Sequence, residues 1–199
     1  MNKINMDILT FDFGEGPVPA HKHPYGGGWV ADTATVAETA YVGPDAWVFE
    51  QAKIFDTVRL EGQARACGRS FMANDAQLLD CAIISDDAIA TGNATIKDEA
   101  IVRGNARIEE DAIVGGNAIV TNNALIYCAA QLSGCAHVGG HAKVGGFAHL
   151  SGTVLVSGNA IVGGRVMLRD NIAISGTTRI DDKTIRELNL QFDSGGCSI

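Results

Sequence analysis

From Val30 to Ile180 every sixth residue is apolar, without one slip of register. Of these 26 positions, 24 hold Val, Ile, Leu or Met, and the other two are Ala66 and Ala90. Two residues before most of them stands a small side chain, usually Ala, as in Ala94, Ala100, Ala106, Ala112 and Ala118. Two residues after most of them comes Gly, Asp or Asn, as in Gly104, Gly116, Asn122 and Gly134. A helix cannot use this beat, because its apolar face recurs near 3.6 residues. Inward positions two apart fit a short strand, where alternate side chains share a face. The Gly, Asp or Asn then fits a tight corner at positive φ.

A six-residue strand and bend cannot bury its own inner face, so units of this kind must stack into a solenoid. Outward positions Ile83, Ile101 and Ile119 recur every 18 residues, with Leu155 and Ala173 further along the same column. Asn105, Asn123 and Asn159 share that period, with His141 filling the gap, and stacked amides could hydrogen-bond along the axis. The sequence therefore predicts an all-β prism with three hexads, 18 residues, per coil. About eight coils at roughly 4.8 Å per strand give a length of roughly 40 Å.

The repeat over Val30–Ile180 resembles the hexapeptide-repeat superfamily. That resemblance implies a left-handed parallel β-helix, whereas the general crossover rule alone would suggest a right-handed one. The lead-in "HPYGGGWVADTATVAETAYVGPDA", residues 23–46, is similar to uncharacterised bacterial and phage hexapeptide proteins of the YdcK-like kind. Some of those carry an acetyltransferase label that rests on the repeat alone, and a fold does not fix a function.

An open solenoid exposes its core and unpaired backbone at both ends, so caps are expected. Residues 1–29 read as an N-terminal cap and loop. Within "DILTFDF", Leu9, Phe11 and Phe13 alternate onto one side of a capping strand, and "GEGPVPAHKHPYGGG" reads as a Gly- and Pro-rich loop. Residues 30–182 are the β-helix. Residues 183–199 read as a short capping helix and tail, with Thr184 and Glu187 at capping-box spacing. The amino end lacks the apolar stretch of a signal peptide, and no later stretch is long enough to span a membrane. The expected location is cytoplasmic.

The net charge of −8 argues against general nucleic-acid binding, which needs a basic surface. The charge is unevenly spread. Residues 30–111 hold 15 Asp and Glu against 7 Lys and Arg, while residues 112–169 hold no carboxylate side chain at all. The acid-free stretch contains Lys143, Arg165 and Arg169 together with His137, His141 and His149. These six residues are the candidate site for an anionic ligand or a partner; the competing reading is that Gly-rich corners simply displaced charge.

No residue is assigned a catalytic role. The superfamily's sugar acyltransferases place a general-base His in a corner, often within a His-Asp-Cys or His-Asp-Ser string. The equivalent corners here are Gly134, Gly140 and Gly146. "CAHVGGHAKVGG" carries His-x3-His where the UDP-GlcNAc acyltransferases carry His-x2-His, and no long loop interrupts the coils. The three histidines also miss the spacing of the carbonic-anhydrase branch, and His21-x-His23 alone is a weak ligand signal, so no metal is expected. The five cysteines form no C-x-x-C motif. Cys81 and Cys135 share a column but stand roughly 14 Å apart, too far for a disulfide.

The strongest surface signal is apolar. Ile83, Ile101, Ile119 and Leu155 line one flat face; Phe71, Ile89, Leu125 and Ile161 line another, interleaved with Arg107 and Lys143. Long exposed apolar strips are uncommon on soluble monomers, so a cyclic homo-oligomer, trimer or dimer, is expected to cover the first of them. The leading reading is a non-enzymatic solenoid that oligomerises and binds a partner or anionic ligand through residues 112–169, with no cofactor. The alternative implied by the resemblance is an acyltransferase using acetyl-CoA, with His137 or His149 as base. A third is a phage or mobile-element inhibitor of a host factor, or DNA mimic, acting through its acidic half.

Overall fold

The computed structural model describes residues 9–184. Each hexad contributes a short strand, and strands stack in parallel on three faces with partners 18 residues apart. Ile83 lies beside Ile101, Ile89 beside Arg107, and Thr95 beside Ile113. The first face runs from Trp29–Ala31 to Ala173–Ile174, the second from Thr35–Val36 to Arg179–Ile180, and the third from Tyr41–Val42 to Met167–Leu168. With eight strands on the third face, the solenoid has about eight coils.

The apolar column fills the interior as its period requires. Val102 and Val120 are fully buried, as are the small residues Ala100 and Ala118 beside them. Only the ends leak, with Val36 and Ile180 partly buried. Each buried aliphatic side chain contributes roughly 1.5–3 kcal/mol relative to exposure, so the repeated column is the main source of stability. The two short members of the column have a long neighbour. Met72 pairs with Ala90 in the next coil and follows Ala66 in its own, where an adaptable thioether suits the extra room. In the small-residue column Ser70 replaces Ala and is fully buried with no partner for its Oγ.

Every corner from Glu50 to Gly176 has positive φ, which explains the Gly, Asn and Asp found there. Glu50, Glu110 and Cys128 take the same conformation at φ of 58, 61 and 57°, a local strain of about 1–2 kcal/mol each that the stacked coils impose.

The N-terminal segment departs from the sequence expectation. Thr10–Asp12 (β1) is the expected strand, but Pro17–Lys22 (β2), read as loop, is a strand too. β2 pairs antiparallel with both β1 and Trp29–Ala31 (β3), so a hairpin ends the first face. Prolines 17 and 19 argued against a strand because they donate nothing to a ladder. They fit because they alternate with the donors: Ala20 N donates to Leu9 O at 3.0 Å, while Pro19 serves as an acceptor for Asp32 N at 2.9 Å. Phe11 and Phe13 do pack together, though Leu9 is 55% exposed. Their partners are outward side chains. Phe11 stacks on Trp29 at 4.4 Å and Phe13 on Phe49 at 5.0 Å, with Trp47 edge-on to both.

The third face is closed by residues 25–28, where Val42 N donates to Tyr25 O at 3.0 Å and Gly28 N to Val42 O at 2.9 Å. Gly26 and Gly28 are required by this crossing, since a Cβ would lie 2.2 and 2.3 Å from the oxygens of Val42 and Gly43.

At the other end a helix begins at residues 182–184. Its cap is Asp181, whose Oδ1 accepts from Lys183 N at 3.1 Å and from Thr184 N at 3.0 Å, so Thr184 is not the N-cap. Glu187 and the rest of the capping helix and tail lie outside the described residues.

Candidate functional site

The three faces separate the candidate residues. His137 is exposed on the first face between Ile119 and Leu155. Lys143 is exposed on the second face between Leu125 and Ile161. His149 lies on the third face between Gln131 and Met167, with Nε2 3.4 Å from Ser133 Oγ. His141 occupies an exposed edge position and donates its backbone N to Gly158 O at 2.7 Å. Arg165 is also on an edge, with its backbone N bonded to Asp182 Oδ1 at 2.6 Å, and Arg169 Nη2 lies 3.2 Å from Met167 Sδ. A single chain thus displays the six residues in several directions around the prism.

The four first-face residues do share one column. Ile83, Ile101 and Ile119 are consecutive and half-buried, and Leu155 follows His137 at 40% exposure. At its N-terminal end this column is covered from within the chain, by the Phe11 and Phe13 rings on Trp29 and Trp47, and Arg65 lies over Trp47 at 4.6 Å. From Ile83 onward the hairpin no longer reaches.

The acidic half reveals a function of its corners that the composition did not disclose. A corner carboxylate accepts the backbone N–H of the corner one coil later. Asp56 takes Asn74 N at 2.8 Å, Asp80 takes Asp98 N at 3.1 Å, Asp86 takes Gly104 N at 2.9 Å, and Asp98 takes Gly116 N at 2.7 Å. Glu50 does the same for Gly68, and Asn74 for Gly92 at 3.2 Å. Beyond Gly116, glycine stacks on glycine at most corners, Asn122, Cys128 and Asp170 being the exceptions. A Cβ on Gly134, Gly140 or Gly146 would meet the backbone N of the next glycine at 2.7–2.9 Å. These corner amides have no carboxylate above them. The signal was legible as the loss of acids after residue 111, but its structural meaning needed the 18-residue pairing.

Amide and hydroxyl rungs form on another edge, where Asn93 Nδ2 donates to Asp111 Oδ1 at 2.8 Å and Thr57 Oγ1 to Asp75 Oδ1 at 2.5 Å, while the Asn105 column carries an ion-pair rung. Arg69 spans one coil to grip Asp87 through two bonds of 2.7 and 2.6 Å, which holds the Asp87 carboxyl below its ordinary range.

His21 and His23 do not converge. His21 Nδ1 is 2.8 Å from Asp32 Oδ1, whereas His23 is buried against its own turn with Nδ1 3.1 Å from Tyr25 O. Among the described residues no group of three or more His, Cys, Asp or Glu is gathered for a metal ion. Cys67, Cys81, Cys128 and Cys135 are free thiols. Burial, with Glu50 and Asp86 nearby, pushes the Cys67 thiol up to about 11, which disfavours its nucleophilic form. No described helix is long and apolar enough to cross a membrane.

No known protein family and no curated protein matches the chain, so the YdcK-like resemblance finds no support there. Solved structures do resemble it. A UDP-N-acetylglucosamine acyltransferase from Campylobacter jejuni aligns at a TM-score of 0.32 and 18% identity, over 82% of this chain and 83% of that one. LpxA from Acinetobacter baumannii aligns at a TM-score of 0.31 and 15% identity, over 74% of this chain and 70% of its own. Likeness this distant leaves the chemistry to the chain's own residues, which form a hexapeptide-repeat parallel β-solenoid.

Proposed function

We propose that this protein is a binding and assembly solenoid, joining copies of itself through the Ile83–Ile101–Ile119–Leu155 column and taking an anionic ligand or partner along residues 112–169. The observation that supports it most is the change of corner chemistry at Gly116. Up to that coil, carboxylates accept the corner amides of Gly68, Asn74, Asp98, Gly104 and Gly116. Past it, the glycine corners Gly134, Gly140, Gly146 and Gly158 continue without a carboxylate bond to their amides, Asp182 returning only at Gly164 and Arg165, and Lys143, Arg165 and Arg169 lie in the same stretch. Backbone N–H groups at left-handed corners, with cations nearby, favour negative charge. Assembly of copies would bring together cations that a single chain holds apart.

Acyl transfer is the second reading, and the names of the similar structures favour it over the first. It would use acetyl-CoA, whose phosphates suit the same cations, with His137 or His149 as base. The acidic half fits host-factor mimicry less well, because several of its carboxylates are committed to backbone amides.

Light scattering of the full chain tests assembly, and titration with inorganic pyrophosphate at low salt tests anion binding. The first reading expects an oligomer that Ile101→Asp disperses, and pyrophosphate binding that Lys143→Ala with Arg165→Ala weakens. A monomer that ignores pyrophosphate overturns it. Release of free CoA from acetyl-CoA in the presence of an amine acceptor, abolished by His137→Ala or His149→Ala, would replace it with the second reading.

A further inference from the structure

A cavity of about 610 Å³ opens between the turn of the β1–β2 hairpin and the corners of the first two coils. That volume lies within the usual span of small-molecule sites, roughly 300–1,000 Å³. The lining combines two chemistries. Phe13, Val18 and Phe49 give it an apolar wall, while Glu15, Asp32 and Glu50 place three carboxylates around it, with no Lys, Arg or His among the lining residues.

The walls are pre-positioned. Phe13 and Phe49 are stacked with their planes 15° apart, which ties the hairpin to the second coil. Asp12 Oδ1 accepts from Gly14 N at 2.7 Å and from Gly16 N at 3.0 Å, fixing the turn. Gly14 and Gly16 hold left-handed φ of 120 and 102°, with nothing near their missing Cβ atoms, so the turn leaves the mouth clear. His21 anchors one oxygen of Asp32, and Gly68 N engages one oxygen of Glu50. Each of these carboxylates keeps its second oxygen for another donor. Val18, 40% exposed, is an apolar side chain left open at such a site.

We propose that this cavity binds a small organic cation with a flat apolar body. The ring lies against Phe13, Val18 and Phe49, and the ammonium sits among Glu15, Asp32 and Glu50. Apolar contact supplies most of the affinity, and the carboxylates supply the sign preference. This site stands at the opposite end of the solenoid from residues 112–169 and does not depend on the function proposed for them.

The test uses the full chain and three indoles of similar shape: tryptamine, neutral 3-ethylindole and anionic indole-3-propionate, followed by saturation-transfer NMR and calorimetry. Tryptamine is expected to bind best, less tightly as salt is added. Val18→Lys, which sets the protein's own ammonium in the cavity, should abolish tryptamine binding, with far-UV spectra confirming an intact solenoid. Glu15→Gln should weaken it about twofold to fivefold, the range of an exposed ion pair. No tryptamine binding at millimolar concentration, equal binding of all three indoles, or binding unchanged by Val18→Lys would each overturn the proposal.

Discussion

The corners of residues 50–111 and those of residues 112–169 reach the same left-handed conformation with a different balance of means: Asp, Asn and Glu outnumber Gly in the first stretch, and Gly outnumbers Asn122 and Cys128 in the second. In the first stretch Glu50, Asp56, Asn74, Asp80, Asp86 and Asp98 accept the steric cost of positive φ and offset it by bonding an amide of the next coil, as Asp98 does for Gly116. In the second, Gly134, Gly140, Gly146, Gly152 and Gly158 avoid the cost and let backbone approach backbone. The difference teaches that net charge along this chain follows corner design. One half spends its acids internally, and the other leaves edge amides and a few cations to the surroundings.

The sharpest way to break that contrast is to place a branched side chain in the glycine half. Gly152→Val would put a Cβ 2.7 Å from Asp170 N at a φ of 74°, combining overlap with left-handed strain. A loss of about 3 kcal/mol or more is expected, read as a lower midpoint in urea unfolding. A loss under about 1 kcal/mol would mean that the coils yield easily and that glycine is not needed there.

A smaller effect is expected from removing an acceptor in the acidic half. Asp98→Ala keeps the strain and loses the bond to Gly116 N, for a cost of about 1–2 kcal/mol. Asp98→Gly loses the bond but relieves the strain, so its stability should stay within about 0.5 kcal/mol of the parent. Equal losses in the two variants would show that the carboxylate bond, rather than the φ angle, decides the choice of residue.

The smallest effect concerns the last carboxylate cap. Thr184 N and the Arg179 guanidinium hold the Asp181 carboxyl down at about 2, against an ordinary value of 3.8. A lowered folded-state value stabilises the capped form above about pH 4, and the stabilisation is lost as pH falls towards about 2. Protection of the Lys183 and Thr184 amides, taken relative to their intrinsic exchange rates, should therefore fall as pH drops through that window and hold steady above it. Asp181→Asn should flatten the profile, because an amide oxygen still caps but no longer titrates.

Much of this was legible in the residues themselves. The beat from Val30 to Ile180 admitted one inward column, and Ile83, Ile101 and Ile119 aligned as their spacing required. The positive-φ corners followed from Gly, Asn and Asp, though not the strained use of Glu50, Glu110 and Cys128. Pro17 and Pro19 hid β2, because local propensity cannot show that their missing donors would face away from β1. The candidate site was legible as chemistry but not as geometry. His137, Lys143 and His149 carry suitable groups, and successive faces of one prism turn them apart.

The sequence by itself determined the period, the dry interior and the corners, because each depends on contacts that repeat every 6 or 18 residues and so leave a periodic trace. Only the tertiary structure decided where Phe11 and Phe13 land, which carboxylates meet which amides, and that a cavity opens beside Phe49. The ring contacts and the cavity occur once and so leave no period to read. The carboxylate–amide bonds recur at 18 residues but depend on a pairing that the six-residue beat alone does not reveal.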